Sequence, residues 1–265
     1  MKKSTLISAL GVLLLFAGLS ACKSQYDLML ESNDVDAKYK AAFDYFNSGK
    51  YNRSAALFES LALLTSGTER YDTVMYYWGL SNYSYKDYYT AETNFQQYLN
   101  YFPQGDFAEM AEFLRIDCLY RATLRYELDQ TATYTAITAI GEYLTAHPEG
   151  ANADICRHRM EELGERLDRK AYENAKIYYR MEDYLAARVA LRNVLKEDAD
   201  NVFREEILYY TAMASYKYAD MSVPAKKKER FLVFQDDYLN FIGEYPESSH
   251  RKELDGLYNR VKEKN

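Results

Sequence analysis

Five times along this 265-residue chain, a first residue, usually small, is followed four and seven positions later by apolar ones. The sets are Ser54, Phe58, Leu61; Ala91, Phe95, Tyr98; Ala136, Ile140, Tyr143; Ala187, Leu191, Val194; and Phe234, Tyr238, Phe241. Steps of four and three place three side chains on one face of an α-helix. Three copies carry a proline twelve positions after the first residue, at Pro103, Pro148 and Pro246, and proline ends a helix. Tyr51, Tyr88 and Tyr184 stand three residues ahead of Ser54, Ala91 and Ala187, where an aromatic wedges the turn between two antiparallel helices. Gly49-Lys50-Tyr51 is the clearest such turn. A partner helix precedes each turn, in "AKYKAAFDYFNS", "TVMYYWGLSNYSY", "AEMAEFLRIDCLYRATLRYEL", "RKAYENAKIYY" and "REEILYYTAMASYKY".

This pattern resembles the tetratricopeptide repeat, a helix-turn-helix unit of about 34 residues. The match is best over residues 72–104, where Trp78-Gly79, Tyr88, Ala91, Phe95, Tyr98 and Pro103 all fit. Gly79 and Ala91 are the small positions that let one pair of helices approach closely. The first positions lie 37, 45, 51 and 47 residues apart, longer than the repeat's own period. The expected fold is therefore an irregular all-α, right-handed solenoid of about five helix pairs, over residues 36–66, 72–104, 105–149, 151–200 and 203–247. A polar helix over 248–265 is expected to cap it. Arg157 to Tyr179 has no breaker and reads as one long helix, while "DMSVPAKKKER" reads as an inserted loop. A non-repeating bundle shows the same 3.6-residue period but does not require the recurrent proline and turn aromatic. With four prolines and eleven glycines, the chain has little room for a turn-rich β fold.

The N-terminus has a different character. Lys2 and Lys3 precede an apolar run from Leu6 to Ala17, too short to span a bilayer and of the length of a signal-peptide core. Leu19-Ser20-Ala21-Cys22 resembles a bacterial lipobox, which implies cleavage of residues 1–21 and acylation of Cys22. Residues 22–35 then form a lipidated flexible tether, and the covalent lipid on Cys22 attaches a chain with no second apolar run to a bilayer. Lys23 and Ser24 lack the acidic residues associated with inner-membrane retention, so the periplasmic leaflet of the outer membrane is the expected address. Loss of the signal moves the formal charge from −7 to −9, which disfavours a nucleic-acid partner.

Catalytic chemistry is not legible. His147, His158 and His250 accompany no HExxH or Cys/His pairing, so neither a metal nor another cofactor is expected. No G-x-S-x-G or phosphate-binding glycine loop occurs, and the pairs Glu161-Glu162 and Asp236-Asp237 are adjacent on helices and do not face each other. Neither an enzymatic activity nor a small-molecule substrate is expected. Cys118 and Cys156 remain after Cys22 is lipidated, either as a disulfide or as buried thiols.

Stacked helix pairs instead offer an extended surface for a peptide. The repeat alignment places Tyr39, Phe43, Phe46 and Asn47 of the first pair, and Tyr76, Leu80 and Tyr83 of the second, on that groove. Some of these residues serve either the groove or packing between repeats. Arg121 and Arg125 are candidate charged contacts on the third pair, and Lys226-Lys227-Lys228 is a candidate partner-docking run.

A lipobox, a polar tether and five irregular tetratricopeptide-like units together resemble the BamD family, lipoproteins of the outer-membrane β-barrel assembly machine. The segments "YLNYFPQGDFAEMAEF" and "YLTAHPEGANADICRH" are similar to that family's succession of aromatic, proline, small residue and new helix. The 28 tyrosines suggest a version from the Bacteroidetes. The resemblance implies an assembly factor whose N-terminal repeats engage unfolded β-barrel precursors and whose C-terminal repeats dock a POTRA domain of BamA. The alternative is another tetratricopeptide-type outer-membrane lipoprotein, such as a glycan-binding or cell-envelope adaptor protein.

Overall fold

The computed structural model describes residues 24–264, and every regular element among them is an α-helix. The signal peptide expected over residues 1–21 and the acylation site at Cys22 lie outside the described residues. The helices are α1 (Gln25–Glu31), α2 (Val35–Asn47), α3 (Tyr51–Leu64), α4 (Tyr71–Tyr85), α5 (Tyr88–Tyr101) and α6 (Ala108–Arg121). They continue as α7 (Thr131–Ala146), α8 (Ala153–Arg180), α9 (Tyr184–Glu197), α10 (Arg204–Asp220), α11 (Pro224–Glu244) and α12 (Arg251–Lys264). The chain forms two compact units, one ending at Ala122 and the other beginning at Thr123. Within each unit, helices adjacent in sequence pack together, and contacts also skip one helix: α1 with α3 and α4 with α6 in the first unit, α8 with α10 and α10 with α12 in the second. That is the packing of stacked helix pairs, in which each pair buries its apolar face against the next.

One turn is built three times. Gly49, Lys86 and Glu182 take left-handed backbone angles, with φ of 74°, 70° and 62°. The amide of the next residue, Lys50, Asp87 or Asp183, donates to the carbonyl of Tyr45, Asn82 or Tyr178 at 2.9, 3.0 and 3.0 Å. The tyrosine that opens the following helix then meets an aromatic five residues earlier edge-on. Tyr51 lies 5.3 Å from Phe46, Tyr88 5.5 Å from Tyr83 and Tyr184 5.4 Å from Tyr179. The expected turn aromatics thus wedge the same corner each time.

The helix ends repeat as well. Phe102, His147 and Tyr245, each before a proline, adopt nearly one conformation, with φ of −130°, −129° and −126° and ψ of 61°, 63° and 64°. A residue before proline is steered out of the helical region, which stops α5, α7 and α11 at Pro103, Pro148 and Pro246.

Between these stops, the small residues seat the pairs. Ala91, Phe95, Ala136, Ile140, Ala187 and Leu191 are fully buried. A Cβ added to Gly79 would fall 2.8 and 2.9 Å from the Phe95 ring, so glycine is what lets α4 close on α5. Ser54 is small for a second reason: its hydroxyl donates to the Ala42 carbonyl at 3.0 Å and pairs with Ser81 at 3.1 Å.

Three expectations change. Residues 25–31, read as part of a flexible tether, form α1, whose first turn is closed by a Ser24–Asp27 capping box. Its Tyr26, Met29 and Leu30 pack on the first unit's core. The loop read into "DMSVPAKKKER" shrinks to a turn at 221–223, because Pro224 occupies the first turn of α11. A proline there starts a helix, since its missing N–H would have no helical partner. The third pair, read over 105–149 as α6 plus α7, is divided by the boundary between the two units, which falls in a nine-residue connector at 122–130. Side chains of α8 hold that connector: Arg166 donates to the Leu124 carbonyl at 3.1 Å, and the Lys170 ammonium to those of Tyr126 and Leu128 at 3.0 and 2.7 Å. As expected, α8 is one long helix and α12 follows the last pair. The polarity of α12 is one-sided, for Leu254, Leu257 and Val261 are buried.

Candidate functional site

Aromatic side chains of α2, α3, α4 and the start of α6 meet in the first unit, and Tyr77 is their hub. Its ring lies 4.7 Å from Phe43, 5.3 Å from Phe46, 5.9 Å from Phe58, 5.5 Å from Tyr76 and 6.2 Å from Phe107. Phe43 extends the row to Tyr39 at 4.9 Å, where the Arg70 guanidinium sits 5.1 Å over the ring and pairs with Asp36. Edge-on and offset ring pairs of this kind contribute about 0.5–1.5 kcal/mol each beyond their burial, so the row is both a packing element and a rigid aromatic surface.

The expected groove residues divide across this arrangement. Tyr39, Phe43, Phe46, Leu80 and Tyr83 are half-buried, and Asn47 is exposed at the end of α2. Tyr76 is not a groove residue: it is 7 % exposed and stacks on Phe107 at 4.3 Å, with Tyr98 6.0 Å away. Burial pushes its phenol up to about 12. In the doublet Tyr76-Tyr77 the two side chains point about 100° apart on the helix. The first fills the core and the second joins the row. Sequence reading missed Tyr77 and Phe107, because the spacing locates a helix face without saying which neighbour that face meets.

Tyr83 and Arg121 converge on one buried carboxylate. The Tyr83 hydroxyl donates to Asp117 at 2.7 Å, and Arg121 donates to the same carboxylate while lying 4.8 Å over the Tyr88 ring. Asp117 is only 3 % exposed. Burial, followed by the bond to Asp117, raises the Tyr83 phenol to about 12. Arg121 is therefore a fixed strut of this network and not a free contact. Arg125 belongs to the second unit, where it lines an open groove of about 610 Å³ with Glu162, Glu165, Arg166 and Arg169.

Lys226, Lys227 and Lys228 lie in the first turns of α11. Lys226 and Lys228 are exposed, Lys226 bridges to Glu229 at 3.1 Å, and Lys227 faces Asp220 at 3.9 Å. Further along the same helix, Asp237 is held by Arg188 through two nitrogens, at 2.6 and 3.0 Å, and by Arg192 at 3.3 Å. Cys118 and Cys156 are buried free thiols, and burial raises the Cys118 thiol to about 12. Among the described residues no group of His, Cys, Asp and Glu has the arrangement of a metal site, and no helix is long and apolar enough to cross a membrane.

The sequence profile of the outer membrane lipoprotein family YfiO matches residues 31–232, well over half of the chain. An outer membrane protein assembly factor, BamD of Caulobacter vibrioides, is 20% identical over 203 residues, covering 77% of this chain and 67% of its own.

Proposed function

The chain belongs to the YfiO family of outer membrane lipoproteins, and from that premise we propose that it is a non-enzymatic assembly factor for outer-membrane β-barrel proteins. Cys22, once acylated, holds it on the periplasmic face of the outer membrane. The first unit receives unfolded β-barrel precursors along the row Tyr39, Phe43, Tyr77, and the second unit docks a POTRA domain of BamA through the face that carries Lys226, Lys227 and Lys228. The observation that carries this reading is the aromatic row itself. Precursor strands alternate apolar and polar side chains and end in an aromatic residue, and a rigid, largely uncharged ring surface meets the apolar members with little ordering cost of its own.

Binding of an aromatic-ended precursor peptide, followed by fluorescence anisotropy, tests the groove. Tyr39→Ala is expected to weaken binding by about tenfold, the loss of a modest hot spot, with helicity unchanged. An unchanged Kd would remove Tyr39 and its row from the site. For the docking face, reversing Lys226, Lys227 and Lys228 to Glu is expected to lower recovery of BamA in a pull-down while leaving the melting temperature in place, because exposed charges contribute little to stability.

A further inference from the structure

The N-terminal helix gives the lipid anchor a fixed seat. Ser24 accepts from the Asp27 amide at 3.2 Å and donates its own amide to the Asp27 carboxylate at 3.1 Å, so the residue that caps α1 stands two positions after Cys22. Tyr26 meets Tyr45 edge-on at 5.5 Å, with the Arg53 guanidinium 5.1 Å over the Tyr26 ring. The far end of α1 is locked by Lys38, 1 % exposed, whose ammonium donates to the Leu30 carbonyl at 2.9 Å and the Ser60 hydroxyl at 2.7 Å. Two residues of extended chain reach only about 7 Å. Whatever holds Cys22 therefore lies against the end of the first unit where α1 begins and α2 turns into α3.

That end is chemically distinct in a chain of negative net charge. Lys50 and Arg53 are exposed there, Lys50 lying 5.6 Å over the Tyr45 ring and lining a cleft of about 330 Å³ with Gln25, Met29 and Ser48. Leu28 is 55 % exposed on α1. The nearby acids are Asp27, engaged by Ser24, and Asp44, which pairs with Lys40 at 2.6 Å and shares the cleft. We propose that this end of the first unit, with Lys50 and Arg53 at its surface, rests on the phospholipid headgroups of the leaflet that holds Cys22, so that the anchor orients the unit instead of merely tethering it. The inference rests on acylation of Cys22. The occupant follows from where the chain outside the described residues leads, and from the match of two cations and an exposed leucine to phosphate headgroups above acyl chains. Each such cation near an anionic surface strengthens attachment by about fivefold.

The test uses the full acylated chain in vesicles of phosphatidylethanolamine and phosphatidylglycerol, with a fluorophore on Ser48→Cys or on Leu63→Cys and spin-labelled headgroups as quencher. Leu63 is 83 % exposed and lies about 20 Å along α3 from Lys50, and the native Cys118 and Cys156 are buried and spared from labelling. Quenching is expected at position 48 and not at position 63. A Gly-Ser spacer of about ten residues between Lys23 and Ser24 should abolish it, while flotation with the vesicles persists. Lys50→Glu with Arg53→Glu should reduce it at unchanged helicity. Equal quenching at both positions in a chain whose mass shows the lipid would overturn the inference and leave the acylation reading intact. A mature chain without lipid mass would overturn both.

Discussion

Asp237 keeps two guanidinium groups and almost no water: it is 6 % exposed and bonded to Arg188 and Arg192. Removing one partner of a buried pair leaves the other charge unpaired, which costs about 3–5 kcal/mol, while an apolar replacement of both is often neutral. Arg192 is 58 % exposed and returns to water easily, so Asp237→Ala is expected at the low end, about 3 kcal/mol by denaturant unfolding, with Asp237→Leu/Arg188→Met recovering most of it. If the single variant is as stable as the parent, the pair carries no weight in the second unit. At this scale the sequence spoke clearly for the small positions. Gly79 and Ala91 sit where their spacing placed them, because closeness leaves a signature in residue size. It did not speak for Asp237, read only as one of two adjacent acids that do not face each other, because its partners lie 45 and 49 residues away in the chain. Nor did it separate Tyr76 from Tyr77, since both are large, aromatic and adjacent.

Local chemistry decides which elements were legible. The turns at 49–51, 86–88 and 182–184 were readable because their signals act within a few residues: each ends in a tyrosine, the first carries glycine, and the other two carry an aspartate that caps the next helix. The third and second copies depart from that chemistry: Glu182 and Lys86 hold the left-handed angle that Gly49 takes freely. A side chain in that region costs about 1–2 kcal/mol, part of which glycine returns through the entropy of its unfolded chain. Lys86→Gly is therefore expected to stabilise the first unit by about 0.5–1 kcal/mol, read as a higher denaturant midpoint at constant slope. A lower midpoint would mean that Lys86 makes contacts worth more than the strain. The helices α1 and α11 were misread for the opposite reason. The polar run before α2 folds because two residues of the next helix receive it, Lys38 in its first turn and Tyr45 near its end. Pro224 begins α11 although proline elsewhere in this chain ends helices.

Across the molecule, the recurring unit was legible and its interruption was not. Nothing in the composition of residues 122–130 marks a boundary between compact units. The connector is specified by Arg166 and Lys170, more than forty residues further along, which bind its carbonyls. The abundance of tyrosine has a consequence at the same scale. Burial raises the phenols of Tyr76, Tyr83 and Tyr179 to about 12, against about 10 in an unfolded chain. A raised value means that folding favours the protonated form. Its contribution is whole below pH ~10 and is lost as pH rises through about 12. A spectroscopic tyrosine titration is expected to show a late step near pH 12 that coincides with loss of helical circular dichroism. Complete ionisation near pH 10 with helicity intact would contradict the burial described for these rings.

The claim that joins anchor, aromatic row and docking face is that the molecule serves β-barrel assembly in the outer membrane. Quantifying outer-membrane β-barrel proteins in cells depleted of this chain tests it most directly. Their levels are expected to fall as the chain is lost, while other lipoproteins of the same membrane hold steady. β-barrel proteins that stay at normal abundance through complete depletion would contradict the account.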